Sequence, residues 1–223
     1  MKLAIYGAGG LGREVRQLAC AINARQHRWD RLFFIDDIHP QRMLDGTPVT
    51  DLASAQGVDA VEVVIAVGEP ALRARLSAKI RAAGLSFATL VHPDVMLPDS
   101  TSLGEGVVIC RHAFISCDCV IEHNVYLQPH CCLGHDCQIG EHTIISPGVM
   151  LGGECCIGRR VFIGMNASVK EKVRIGHNVI ISMGAALFND VQDGLIALGN
   201  PARIIRRNED EKVFRPAGLR RSR

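Results

Sequence analysis

From Leu97 to Leu187 every sixth residue is Leu, Ile or Val, sixteen positions without an exception. Those three types fill only 59 of the 223 positions of the chain, so the register is no by-product of composition. A second column lies two residues earlier from Ile109 onward: Val107, Ala113, Cys119, Val125, Cys131, Cys137, Thr143, Val149, Cys155, Val161, Ala167, Val173, Val179 and Ala185, all small. A helix repeats its buried face every three to four residues and a strand every two, so neither keeps a period of six. Hexads of this kind predict a parallel β-helix. Three short strands make one triangular coil, the large residue fills the interior, and the small one fits the corner beside it. Glycine after the large residue, as in Ile139-Gly140, Ile157-Gly158, Ile163-Gly164 and Ile175-Gly176, predicts backbone turns there.

The same register accounts for most of the nine cysteines. Cys119, Cys131, Cys137 and Cys155 fall in the small interior column, which predicts packed thiols, not ligands or nucleophiles. The pairs Cys131-Cys132 and Cys155-Cys156 alternate in direction along a strand and cannot chelate as a spaced CxxC does. The opening MKLAIYGAGGLGREV lacks an apolar signal-peptide core, and the longest apolar runs are far short of a membrane span. An odd number of cysteines without an export signal predicts a reduced, cytoplasmic chain. The net charge of +2 gives no reason to expect nucleic acid or an anionic membrane as partner.

Before the repeats the pattern differs. Short apolar strands at Leu3–Tyr6, Leu32–Ile35 and Val61–Val67 alternate with helical stretches at about Gly10–Ala24 and Ala71–Ala83. Pro70 suits a first helical turn, and Gly84 suits a helix end. This alternation predicts a parallel sheet covered by helices, a Rossmann-like half-domain. The predicted organisation is therefore α/β over 1–90, β-helix over 91–205, and a basic tail over 206–223.

Gly7-Ala8-Gly9-Gly10-Leu11-Gly12 follows a strand and opens a helix, the context in which G-x-G-x-x-G lets backbone N–H groups approach a phosphate. Asp36 and Asp37 end the second strand, where a carboxylate accepts bonds from ribose or base. A dinucleotide site needs two mononucleotide halves, and about ninety residues before the repeats hold one. The loop thus predicts a nucleotide, or a sugar carried on one, against the alternative of a tight structural turn.

His112 and His130 are eighteen residues apart and share a column, as do His123 and His177 three coils apart. His135, between Gly134 and Asp136, is the candidate general base: a carboxylate beside an imidazole orients the ring and raises its basicity. Adjacent strand residues face opposite ways, so a corner must turn Asp136 back to the ring. A rival reading is metallic. His130-x4-His135 has the spacing of two zinc ligands in gamma-class carbonic anhydrases, but Asp94 stands where that family has its third His.

Together, GAGGLG, Ile35-Asp36-Asp37, Ala66-Val67-Gly68, Gly134-His135-Asp136-Cys137 and Gly199-Asn200-Pro201-Ala202-Arg203 resemble the sugar O-/N-acyltransferase family over about residues 1–206. The resemblance implies a homotrimer of left-handed parallel β-helices with active sites between subunits. It implies that Gly9, Gly10, Leu11, Asp36, Asp37 and Gly68 hold the nucleotide sugar, and that acetyl-CoA lies near Met165 and Met183. His135 matches the family's base and Asp136 its supporting acid. Some members carry a second His nine residues after the base, near the acetyl group; the matching position here is Ile144, with His142 two residues earlier.

The expected activity is acetyl-CoA-dependent N-acetylation of a nucleotide-linked amino sugar, with no metal. O-acetylation of a sialic acid or related sugar acid is the alternative within the class. A zinc hydratase and a non-catalytic nucleotide-sugar-binding protein are the alternatives outside it. Arg206-Arg207 and Arg220-Arg221 are expected in a frayed, solvated tail.

Overall fold

The computed structural model of the protein describes residues 1–214. The N-terminal part is a six-stranded sheet of β1 (Lys2–Tyr6), β2 (Arg31–Ile35), β3 (Arg42–Leu44), β4 (Thr47–Thr50), β5 (Val61–Ile65) and β6 (Ser86–Phe87), in the order β3-β4-β2-β1-β5-β6. Helices α1 (Gly10–Arg25), α2 (Leu52–Gln56) and α3 (Pro70–Ala82) connect the strands. All pairings are parallel except β3 with β4. That hairpin turns at Asp45-Gly46, both at positive φ (47° and 71°), as a tight hairpin turn requires. The hairpin, α2 and β6 are additions to the three strands and two helices predicted.

From Leu90 the chain winds as a left-handed β-helix. Two-residue strands stack in three parallel walls at a register of eighteen: Phe114 opposite Cys132, Val120 opposite Gln138, Tyr126 opposite Ile144. The large column is buried from Ile109 to Leu187. Of the small column, only Thr143 is polar, and it is satisfied: its Oγ1 donates to Gly158 O (2.9 Å) and accepts from Val161 N (3.0 Å). The thiols repeat the same bond one coil up, Cys119 to Gly134 O, Cys137 to Gly152 O and Cys155 to Lys170 O, at 3.2–3.3 Å. Burial pushes Cys119 up to about 11 and Cys131 to about 12, so neither thiol supplies a thiolate nucleophile. All nine cysteines are free.

The turns sit elsewhere than the glycines suggested. The residue in the left-handed region is the third after each large residue, from Gly106 through Asn124, Asp136 and Asn178 to Gly184, at φ between 55° and 70°. Eleven of these fourteen positions are Gly, Asn, Asp or His, the types that tolerate such backbone. His112, His130 and His142 belong to this column, which explains much of the histidine count. Gly140, Gly158 and Gly176 are needed for a different reason: a Cβ at each would stand within 2.2–2.7 Å of the next coil.

The two parts meet on one wall. Its outward residues Leu90, Val108, Tyr126, Ile144 and Phe162 pack with Val15, Leu18 and Trp29 of the N-terminal part. Arg73 of α3, fully buried, fastens the seam. It donates to Asn124 O through Nε (3.1 Å) and Nη2 (2.6 Å), and through Nη1 to Ile65 O (2.8 Å) and Val67 O (3.1 Å). Asn124 Nδ2 also reaches Ser77 Oγ at 3.2 Å. Burial lowers the Arg73 pKa to about 10, which leaves the guanidinium charged at neutral pH.

The tail departs from expectation. Arg203–Arg207 is a strand antiparallel to Leu195–Leu198. Asn208 is buried and donates from Nδ2 to Asn178 O (2.9 Å), and Val213 returns to bond Glu69 at 3.0 Å. Arg206-Arg207 is therefore part of the sheet, because that strand completes the wall's open edge; Arg220-Arg221 lies outside the described residues. Among the described residues no helix is long and apolar enough to cross a membrane.

Replacing Arg73 by Met would strand three buried carbonyls. Unpaired buried acceptors cost about 1–3 kcal/mol each, so Arg73→Met should lose about 3 kcal/mol or more in denaturant unfolding followed by Trp29 fluorescence. A loss under about 1 kcal/mol would mean that the seam is held by apolar packing alone.

Candidate active site

His135 and Asp136 lie on the corner after strand Cys132–Leu133. Asp136 occupies the left-handed position, φ 58°. That reversal, absent from a straight strand, swings its carboxylate beside the preceding side chain. His135 Nδ1 and Asp136 Oδ2 are 2.7 Å apart, and both side chains are 56% exposed. With Nδ1 engaged by the carboxylate, Nε2 is the ring nitrogen left to meet a substrate. One coil on, Gly153 clears its space: a Cβ there would stand 2.5 Å from His135 Nε2. Gly153 was not singled out from sequence, although the offset of eighteen and the Gly152-Gly153 pair point to it.

Five further histidines of the coils have structural surroundings. His123 Nδ1 accepts Glu105 N (2.9 Å) and His177 Nδ1 accepts Arg159 N (3.0 Å), each from the coil below. His112 and His130 stack with ring centres 4.7 Å apart. Burial, with the charges of Arg73 and Arg160, pulls His142 down to about 4. The zinc spacing does not assemble: Asp94 faces Arg111 (3.3 Å) and Arg25 (3.6 Å) instead of His130 and His135. No group of three metal-ligating side chains comes together among the described residues.

In the N-terminal part the glycines divide by role. Gly7, at φ 124°, has no room for a Cβ against Ala66 O, and a Cβ on Gly12 would meet Gly7 O. These two close the turn. Gly9 and Gly10 face open space. Gly9 is the N-cap of α1 with no side-chain cap, and no acidic residue occupies the first turn, so the helix N-terminus offers free N–H groups to an anion. Leu11 and Gly68 stand together, a Cβ on Gly68 lying 3.9 Å from Leu11 Cδ2.

The two aspartates are already engaged. Asp36 accepts from Ile38 N (3.0 Å) and His39 N (3.1 Å) and pairs with Arg42 (3.0 Å). Asp37 accepts Lys79 Nζ (2.5 Å), Leu52 N (2.9 Å) and the Tyr6 hydroxyl. Burial raises the Asp37 carboxyl, but these bonds outweigh it and hold the pKa below the usual carboxylate range. Burial, then Asp37, lifts Tyr6 to about 12.

Met165 and Met183 are exposed one coil apart, on the corner after strands Phe162–Ile163 and Ile180–Ile181, a different corner from that of His135. Ile144 does not fit a co-substrate contact through its side chain. It is 1% exposed, buried in the seam beneath the N-terminal part, because its strand belongs to the wall that part covers.

Three family descriptions match the chain: the PglD N-terminal domain over residues 2–80, the bacterial transferase hexapeptide (six repeats) over 118–153, and the hexapeptide repeat of succinyl-transferase over 156–188. The acetyltransferase domain of PglB from Neisseria gonorrhoeae FA1090, in complex with acetyl coenzyme A, is 29% identical over 92% of this chain and 98% of that one, with a TM-score of 0.84. PerB from Caulobacter crescentus, in complex with CoA and GDP-perosamine, is 26% identical over 92% and 97%, TM-score 0.82. The chain thus combines a match to the PglD N-terminal domain with matches to transferase hexapeptide repeats. A mutant of perosamine N-acetyltransferase from Caulobacter crescentus, again with CoA and GDP-perosamine, is similar to this chain at 27% identity over 92% and 97%, TM-score 0.71. A comparison with curated proteins finds no match.

The division among the glycines can be measured. Gly9→Ala should leave stability within about 0.5 kcal/mol of the parent, while Gly12→Ala should lose about 1–3 kcal/mol in the same denaturant titration. Equal losses would mean that Gly9 is also a packing residue of the turn.

Proposed function

We propose that the protein transfers the acetyl group of acetyl-CoA to the amine of a nucleotide-linked amino sugar, with His135 as general base. The observation that carries this is the His135–Asp136 pair: an exposed imidazole backed by a carboxylate at 2.7 Å, on the corner of a hexapeptide coil. The amine nitrogen attacks the thioester carbonyl as His135 Nε2 takes its proton. Asp136 stabilises the imidazolium that forms. The tetrahedral intermediate collapses to the amide, and the proton on Nε2 passes to the departing CoA sulfur. Amine, not hydroxyl, is favoured as acceptor by the likeness to structures holding GDP-perosamine and to a perosamine N-acetyltransferase.

The acceptor is assigned to the loop at Gly9, Gly10, Leu11 and Gly68, its phosphates at the N-terminus of α1. Asp36 and Asp37 border that loop, and bonds to ribose or base would be shared with Arg42 and Lys79. The backbone near Met165 and Met183 is assigned to acetyl-CoA. These assignments need more than one chain. The N-terminal part docks on the wall carrying Tyr126, Ile144 and Phe162, whereas His135 projects from the corner opposite that wall. A base and an acceptor on opposite sides of one β-helix meet when a second copy brings its acceptor domain to the corner, and we infer the homotrimer from this. Nine free cysteines suit a reducing cytoplasm.

The test is thiol release from acetyl-CoA with a panel of GDP-, UDP- and dTDP-linked amino sugars, beside free sialic acids. Turnover is expected with a nucleotide amino sugar, and His135→Ala should lower kcat by about 10²–10⁴. Turnover with a sialic acid alone would replace the amine by a hydroxyl acceptor. Undiminished activity in His135→Ala would remove the base.

A further inference from the structure

We propose that the C-terminal segment supplies a wall of the acceptor site, with Phe214 as a binding and specificity residue; this rests on the reading just given. After Arg203–Arg207 the chain is pinned by Asn208, whose N donates to Gly194 O (2.8 Å) and whose Nδ2 donates to Asn178 O (2.9 Å). It then crosses back to the N-terminal part. Glu69 receives it there: its carboxylate accepts Val213 N at 3.0 Å and Phe214 N at 3.2 Å.

Glu69 is the N-cap residue of α3, yet its side chain makes no cap bond to its own helix. Its acceptors are given to the tail instead. The result sets the Phe214 ring against Gly68, where a Cβ would lie 3.3 Å from Phe214 Cε2 and 3.9 Å from Leu11 Cδ2. Phe162 meets the ring edge-on, centres 5.6 Å apart.

The Phe214 ring, T-shaped against Phe162 and close to Gly68, remains 59% exposed. The Gly68 position it packs on is also neighboured by Leu11, which directly follows the open glycines Gly9 and Gly10. Such a ring offers an apolar face to a planar base or to the apolar face of a hexose. The ligand chemistry is that of a ring attached to a phosphate anchored at the helix N-terminus. Phe214 touches the acceptor; Glu69 acts through it and is a positioning residue.

The experiment is steady-state acetyl transfer by the full chain, with the nucleotide amino sugar that the parent enzyme accepts. Calorimetric titrations with the nucleoside diphosphate alone and with the nucleotide sugar run beside it. Phe214→Ala should raise the KM for the acceptor roughly tenfold, leaving kcat and the KM for acetyl-CoA within about twofold. Phe214→Tyr should restore the acceptor KM, and Glu69→Gln should raise it without lowering kcat. Weakened binding of the diphosphate alone would put the ring on the nucleotide; weakening confined to the nucleotide sugar would put it on the hexose; either supports the wall. An unchanged or lower acceptor KM in Phe214→Ala overturns it, the lower value marking an obstructing tail. If the parent enzyme turns over no acceptor, it is the acetyltransferase reading that fails. Titration then still decides the wall, since equal nucleotide-sugar affinities of parent and Phe214→Ala, or no binding by either, overturn it.

Discussion

A backbone reversal at positive φ on every sixth residue is the constraint on which the structure depends. It bends two-residue strands into a triangular coil and fixes where each corner side chain points. At Asp136, φ 58° turns a carboxylate back onto His135. At Asn124, φ 55° presents a carbonyl to the buried Arg73 and an amide to Ser77. The same turn position thus makes the proposed catalytic pair and the latch between the two parts. It also recruits His112, His130 and His142 for conformational reasons, and these are histidines that a search for chemistry would otherwise overcount.

Much of this is legible in the sequence because burial repeats. The large column and the small column are periodic, and a period of six leaves few architectures. The glycine loop and its flanking strands are legible because local chemistry specifies them. The left-handed column was equally present as Gly, Asn, Asp and His three residues after each large one, but it mixes four residue types and hides behind the more visible glycines. Those glycines at 140, 158 and 176 are explained by the close approach of successive coils, a contact between residues eighteen apart.

What the sequence concealed is long-range. The hairpin Arg42–Thr50 contains Pro48 and is too short to show a period. Ile144 reads as a coil residue, and only the docking of the N-terminal part explains its burial. The tail reads as solvated, yet Asn208 and Glu69 tie it across the molecule through bonds spanning 30 and 144 residues. The value of Gly153 emerges once coils are stacked and the His135 ring is seen to lie over it.

The geometry also separates tasks. One wall carries the N-terminal part, to which the acceptor is assigned, and the opposite corner carries the proposed base, so catalysis and assembly are linked in the proposed homotrimer. The most direct test of the central claim is kcat for acetyl transfer in Asp136→Asn, read beside its melting curve. Asn tolerates the left-handed turn but cannot stabilise an imidazolium by charge. The account predicts an unchanged melting temperature with kcat lowered by about tenfold or more. Full activity in a normally folded Asp136→Asn enzyme would contradict it.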